Sequence, residues 1–448
     1  MNIELGEEQK QALDKIFEFI KSKEHTFSLT GSAGTGKSLL ITKIIEFLEK
    51  ENIEYCLCAP THKAKTVLEY YTKRPSITLH KLLSLSPKLD IINLDFRDLT
   101  FKMGAIKEIP TKGIIICDES SMISDDLFKL LLKVSEKVNT KIIFIGDKCQ
   151  LKPVDSNRVS LVYKIKNSYN LTKIYRQQSK NSILPILENL REQIITDFIK
   201  YSGEDKNLLC TSDFKKFYDW CKIGVEDLIN KSDIFQTKVL AFTNARVNNY
   251  NTYLTQSIFG NPKKYYKSEI LTGYENLTFN NYDFFNSMDY IIIDNPKEID
   301  IKIPNFLSLP GYELLLYDTG NNLTANIKIL SKYIDESYFI DLAGYIEETR
   351  MEAVNAKYKS RSLAWKKYYQ IYNSFTTPKD LFYDNRLIRR KSFDRGYSTT
   401  VHKSQGSNYN NVYVDMYDIN TCTDKEQLRQ LQYVALSRTR GNVYIFQK

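Results

Sequence analysis

TFSLTGSAGTGKSLLITKIIEFLEK (26–50) puts an apolar run, a glycine-rich loop and a helical period in immediate succession. The run reads as a strand covered on both faces, and the apolar residues after the loop recur at helical spacing. Between them, GSAGTGKS (31–38) fits G-x-x-x-x-G-K-[ST] in the strand-then-helix setting the motif requires. Gly31, Gly34 and Gly36 let backbone N–H groups converge on phosphate oxygens, with Thr35 in the same cradle. The helix adds its positive end, Lys37 neutralises charge between β- and γ-phosphates, and the Ser38 hydroxyl can ligate magnesium. Nucleotide and magnesium are therefore the expected ligands, and an α/β fold the expected frame.

Outward from this stretch the same alternation continues. YCLCAP (55–60), GIIICDES (113–120) and KIIFIGD (141–147) are further short apolar runs separated by helical segments, which predicts a parallel sheet flanked by helices. A second set, KVLAFTN (238–244), YSTTVHKSQG (397–406), NVYVDM (411–416) and NVYIFQK (442–448), predicts a second α/β lobe. Between its halves, DYIIID and YELLLYD read as small antiparallel strands, and ILSKYIDESYFIDLAGYIEETRMEAVNAKYKSRSLAWKKYYQIYNSF reads as helix. At 448 residues the chain exceeds one ordinary core. The expected division is 1–83 with 112–170, a β-hairpin insertion at 84–111, 171–245 with 396–448, and an inserted domain at 246–395.

Composition narrows the class without choosing a function. The net charge of +9 suits a polyanion partner but is shared by many proteins that bind none. No apolar stretch approaches the ~20 residues that cross a bilayer, and the amino terminus lacks the order of a secretory signal. An intracellular, cytoplasmic and monomeric protein is expected. Seven scattered cysteines have neither zinc nor disulfide spacing.

Asp118 and Glu119 close the buried run IIIC, which places two carboxylates at the carboxyl edge of a parallel sheet, where open α/β folds bind ligands. One carboxylate for the metal and one to polarise water is what hydrolysis needs, so Asp118 is assigned to magnesium and Glu119 to general base. Two solvated acids at a helix start explain the pair equally well until the phosphate loop is set beside it.

APTHKAK (59–65), TLHKLL (78–83), DESSM (118–122), GDKCQLKPV (146–154), LTKIYRQ (171–177), AFTN (241–244), TVHKSQGSNY (400–409) and YVALSRTRG (433–441) follow the phosphate loop in a fixed order. This set resembles the superfamily 1 DNA helicases, and most closely the RecD and phage Dda group, which moves 5′ to 3′. The resemblance spans nearly the whole chain and implies two RecA-like lobes, a strand-separating pin at the first insertion and an SH3-like β-barrel with helices at the second. It implies that Gln9 recognises adenine, that Gln150 senses the γ-phosphate, that Arg176 and Arg438 reach it from the second lobe, and that Gly406 belongs to the nucleotide site. Taken singly, Gln9 and Arg176 are more simply exposed polar residues on a helix.

For nucleic acid the resemblance implies Pro60, Thr61, His62, His80, Thr243, Asn244, Thr400, His402 and Lys403, mostly short donors suited to phosphate oxygens. A buried structural role competes for His80 and His402. Phe96 and Phe101 are both candidates for an aromatic wedge in the pin, and the basic run RLIRRKSF (386–393) for the lining of a DNA path, a solvated face being its plainer explanation. The implied partners are single-stranded DNA and duplex junctions, with single-strand-binding, replication or recombination proteins beside them. If the chain is phage-encoded, its place is the host cytoplasm. Three other functions compete: a translocase that displaces proteins or acts on RNA, a single-lobe P-loop enzyme such as a kinase, and an inactive binding module. TVHKSQG and YVALSR have no use in the second, and Lys37, Asp118, Glu119 and Arg438 argue against the third.

Overall fold

The computed structural model describes residues 5–88, 100–103, 109–153, 158–175, 182–193 and 207–448. Chain entry is through α1 (Glu7–Lys21), then β1 (Thr26–Gly31), α2 (Lys37–Lys50), β2 (Tyr55–Ala59), α3 (His62–Thr72), β3 (Ile77–Thr78) and α4 (Leu79–Leu82). Leu85–Lys88 (β4) and Thr100–Met103 (β5) pair antiparallel outside the main sheet. The chain returns in β6 (Ile114–Cys117), α5 (Asp125–Val138), β7 (Lys141–Gly146) and β8 (Ser168–Leu171). The sheet order is β3-β2-β6-β7-β1-β8, all parallel.

The period of two along β6 shows why these strands read as continuous apolar runs. Ile114 and Ile116 pack with α1 and α2, while Ile115 and Cys117 face α4 and α5. Both faces are buried, so every position is apolar. The sheet's carboxyl edge then carries the phosphate loop after β1, Thr61 after β2, the acidic pair after β6 and Asp147 after β7.

The second lobe starts with α6 (Ile183–Arg191), β9 (Leu208–Thr211), α7 (Phe214–Lys231), β10 (Thr237–Ala241) and α8 (Asn244–Phe259). The insert follows as β11 (Ile270–Gly273), β12 (Leu277–Phe279), β13 (Tyr282–Phe284), β14 (Asp289–Ile292), β15 (Lys297–Lys302), β16 (Ser308–Asp318), β17 (Leu323–Leu330), α9 (Glu336–Asn355), α10 (Tyr358–Tyr372), β18 (Leu381–Tyr383), β19 (Arg386–Arg389) and β20 (Phe393–Arg395). The lobe resumes in β21 (Ser398–Thr400), β22 (Tyr409–Asp415), α11 (Met416–Ile419), α12 (Lys425–Ser437) and β23 (Thr439–Phe446). Its sheet, β21-β10-β22-β23-β9, is again parallel, with α6 and α12 on one face and α7 and α8 on the other.

The insert is an antiparallel sheet, β15-β16-β14-β11-β20 with β17 on β16, backed by α9 and α10. Its β16 runs eleven residues, longer than the small strands expected there. The segment read as continuous helix begins as strand, since Ile329 and Leu330 close β17. Helix starts only at Glu336, where the Asp335 carboxylate accepts from Ser337 N at 2.9 Å. A buried ion pair fixes the insert to the second lobe, Lys238 of β10 to Asp289 of β14 at 2.8 Å, and within the insert Arg395 pairs with Glu269 at 2.9 Å.

Candidate functional site

The phosphate loop is held open by left-handed backbone at Gly34 (φ +87°) and Gly36 (φ +91°), which only glycine adopts cheaply. Gln9 lies against Gly36; a Cβ there would meet its Nε2 at 2.1 Å. The Gln9 amide accepts from Gly6 N at 3.0 Å and donates to Thr35 O at 3.0 Å, so it braces the loop and keeps one N–H for another acceptor. Thr35 is fully buried, its hydroxyl donating to Ser32 O at 2.9 Å. The Lys37 ammonium folds over the loop, donating to Gly31 O at 2.7 Å and Ser32 O at 2.9 Å. Ser38 is exposed at the start of α2.

Asp118 and Glu119 stand where expected. Asp118 accepts from Tyr71 Oη at 2.5 Å and from Glu119 N at 2.8 Å; Glu119 has left-handed backbone, φ +51°, and its Oε2 is buried without a protein partner. Burial pushes the Asp118 carboxyl up, against the pull of Tyr71 and Lys37. Burial raises Glu119 too, the neighbouring Asp118 charge adds to it, and Arg438 and Lys37 pull the other way. Those opposing pulls gather cations from both ends of the chain on one carboxylate. Arg438 is 3% exposed, and its guanidinium donates to Val434 O, Ser407 O and Ser437 Oγ at 3.1–3.2 Å. Arg440, two residues on, is exposed.

Gln150 is buried with a free Oε1, and its N–H donates to Asp147 O at 3.2 Å. Asp147 was not singled out in the sequence, and neither was Tyr433. Yet Tyr433 Oη donates to Asp147 Oδ2 at 2.6 Å across the lobes, with both residues buried. The signal was present in GDKCQ and YVALSR, but a tyrosine inside an apolar helical run reads as core. Lys152 and Glu426 close the same seam at 2.7 Å. Gly406, φ +75°, abuts Ala64 of α3, which makes it a point of lobe contact.

The nucleic-acid candidates lie after β2, at the start of α4, at the start of α8 and from the end of β21 onward. Pro60 ends β2, and Thr61 caps α3 by accepting Ala64 N at 3.2 Å. The His62 ring stacks on Phe285 of the insert, centroids 3.8 Å apart; burial, then Lys65 and His80, pull it down to about 4, so it is neutral. Burial also lowers His80 and His402. Thr243 caps α8, accepting from Arg246 N and donating to Asp418; Asn244 is exposed beside it. Thr400 Oγ1 accepts from Lys403 N at 3.3 Å. Lys63, also missed, bonds Tyr409 Oη at 3.1 Å and approaches Asp289 at 3.9 Å, which joins first lobe, second lobe and insert. Arg176 and Phe96 lie outside the described residues; Phe101 falls within β5, and its side chain lies outside them.

Known proteins place both halves together. A family described as AAA domain matches residues 4–212, and one described as UvrD-like helicase C-terminal domain matches 395–446. The chain is similar to the ATP-dependent DNA helicase dda of Enterobacteria phage T4, 26% identical over 98% of this chain and 99% of that one. It is 27% identical to the RecBCD enzyme subunit RecD of Buchnera aphidicola subsp. Schizaphis graminum, covering 99% of this chain and 73% of that one. The fold is shared with Pif1 helicase from Candida albicans, with a TM-score of 0.51 at 17% identity over 100% of this chain and 95% of that structure. Among the described residues no helix is long and apolar enough to cross a membrane.

Proposed function

We infer that this chain, a superfamily 1 DNA helicase of the RecD/Dda-like group, hydrolyses ATP between its lobes and uses the cycle to move along single-stranded DNA and part the duplex. The observation that carries this is the seam beside Glu119: Tyr433 of α12, the helix that ends at Arg438, bonds Asp147 of the first lobe at 2.6 Å, and Lys37 and Arg438 both pull on the Glu119 carboxyl. Neither lobe alone holds both cations. Closure therefore completes the site, and hydrolysis, by removing the γ-phosphate that both cations address, releases it.

In this reading Glu119 takes the proton of the attacking water. Burial and the neighbouring Asp118 charge raise its pKa, which makes it a stronger base than an ordinary carboxylate. Lys37 and Arg438 stabilise charge on the transferring phosphoryl group, Gln150 orients the water from the turn shaped by Asp147, and Arg176 joins from the second lobe. Gln9 offers its remaining amide N–H to the adenine edge. Magnesium fits the donors present: hard oxygens on Ser38 and Asp118, and no cluster of three acidic, His or Cys ligands among the described residues. The ion would thus share its shell with ATP oxygens and water and neutralise phosphate charge.

The single strand lies across Thr61, His62 and His80 of the first lobe and Thr243, Asn244, Thr400, His402 and Lys403 of the second, gripped by its backbone. The β4–β5 hairpin is read as the pin, with Phe96 or Phe101 as its wedge, and the antiparallel insert as the SH3-like barrel. Travel is read as 5′ to 3′. Unwinding assays on duplexes with 5′ or 3′ tails, in DNA and in RNA, test this: ATP-dependent separation of the 5′-tailed DNA duplex is expected. Preference for the 3′ tail overturns the direction, and ATP hydrolysis indifferent to single-stranded DNA overturns the helicase reading.

A further inference from the structure

Where the insert meets the second lobe, two ammonium groups share one aromatic ring. Lys403 Nζ, from the turn after β21, lies 3.4 Å from the Tyr274 ring centroid, and Lys391 Nζ, from the link between β19 and β20, lies 3.9 Å from it. The ring is fixed from the insert side, since Tyr274 N donates to Ser392 O at 2.9 Å. Lys391 is paired with Asp394 at 2.8 Å, and Asp394 also takes Lys332 at 3.3 Å. Among the described residues no carboxylate lies within ion-pair distance of Lys403. Its strongest electrostatic neighbours are Lys391, Lys63 and Arg390, which oppose its charge, followed by Asp394, which favours it.

Half-buried charges are ordinarily matched, because desolvation without a partner is costly. Here Lys332 and Lys391 share Asp394, Asp380 adds to Lys391 and Asp289 lies toward the Tyr274 ring, whereas the cation–π contact on a ring already shared with Lys391 compensates Lys403 only in part. Burial, then the neighbouring cations, pull the Lys403 ammonium down to about 7. Within the cluster Lys403 is the lysine left without a paired carboxylate among the described residues, and Arg390 at its rim is exposed to solvent.

We propose that Lys403, Lys391 and Tyr274 form a seat for one backbone phosphate of single-stranded DNA, shared between the second lobe and the insert. This rests on the helicase reading and deepens it. The seat uses point charges and an aromatic wall, reads no base, and takes successive phosphates alike as the strand slides. Because one lysine belongs to each unit, a seated phosphate ties insert to lobe, and the two move as one body during a step.

Anisotropy of a labelled oligo-dT, without nucleotide and over a range of KCl concentrations, tests the seat. Lys403→Gln and Lys391→Gln should each weaken binding about tenfold and flatten the slope of log affinity against log salt by about one. A variant that melts like the parent yet keeps parental affinity and slope overturns the seat. Titration calorimetry of the unaltered protein near pH 7.5, in two buffers of different ionisation enthalpy, gives a second measurement. Seating a phosphate raises Lys403, so binding should take up protons, and Lys403→Gln should remove that uptake even though His402 nearby is also depressed. No uptake by the unaltered protein overturns the seat without recourse to variants. Failure of the unaltered protein to bind oligo-dT at all would overturn the helicase reading itself.

Discussion

The lobe junction holds two clusters with opposite imbalances of charge. On the nucleotide side, Asp118, Glu119 and Asp147 are crowded together and burial pushes the first two carboxyls up. Where the insert meets the lobes, the far side of this comparison, Lys63, Lys238, Lys332, Lys391 and Lys403 outnumber Asp289, Asp380 and Asp394, and burial pushes Lys403 down to about 7. In the proposed function the first cluster serves a nucleotide with its metal ion and the second the phosphates of a strand, and closure of the lobes would couple the two.

The harshest test of that contrast is Arg438→Ala. An arginine acting on a transferring phosphoryl group is worth about 10³–10⁵ in kcat, so DNA-stimulated phosphate release should fall by that order while ATP binding, measured directly, persists. Normal turnover would remove the second lobe from the chemistry. Glu119→Gln keeps the shape and removes the base; a loss of about 10²–10⁴ in kcat is expected with ATP still bound. In the parent, the acid limb of the pH profile for kcat should lie above 4.5, the ordinary value for Glu, because burial raises Glu119. A limb at or below that value would count against Glu119 as the base.

On the far side the largest effect expected is on stability. Lys238 and Asp289 are 1% and 3% exposed and bond at 2.8 Å, so Lys238→Met leaves a buried aspartate with Lys63 at 3.9 Å as its nearest cation. Breaking such a pair costs about 3–5 kcal/mol, read by denaturant unfolding. Burial opposes the charge on Asp289, but Lys238 and Lys63 hold its carboxyl below 3.8. Its contribution is therefore fully present above 3.8 and is lost as pH falls through the lower, folded value. An unchanged midpoint in Lys238→Met would show that the junction is wet.

How much of this was legible in the sequence follows from which interactions are local. β1, β2, β6 and β7 were readable because both their faces are buried, which writes the strand as an unbroken apolar run. β9 was not read: its four residues sit at a sheet edge and only Leu208 is fully buried. The placement of Lys37, Asp118 and Glu119 at the carboxyl edge of the first sheet was legible because each belongs to a short motif that directly follows a buried strand. Tyr71, Lys63, Asp147 and Tyr433 act only through partners far along the chain, and nothing local distinguishes a core tyrosine from one whose hydroxyl meets a carboxylate. Lys403 was placed on the DNA path by resemblance, but its partner Tyr274 arrives from an insert with no motif of its own.

The smallest effect separates closure from chemistry. Tyr433→Phe removes one hydroxyl from α12, the helix that ends at Arg438, and leaves Asp147 with the Cys149 N–H at 3.0 Å as a remaining donor. A hydrogen bond to a charged group is worth about 1.5–3 kcal/mol, and the surviving donor places the expected loss at the lower end, roughly tenfold in rate. If the bond serves closure, the loss should appear in kcat with DNA present, and ATP binding to the first lobe should be unmoved. Asp147→Asn sharpens the point, since its amide oxygen still accepts from Tyr433 while the charge beside Glu119 disappears, and the acid limb should move down in pH. A Tyr433→Phe variant that loses ATP affinity instead would make the tyrosine part of the nucleotide pocket, and the seam would then report on binding instead of motion.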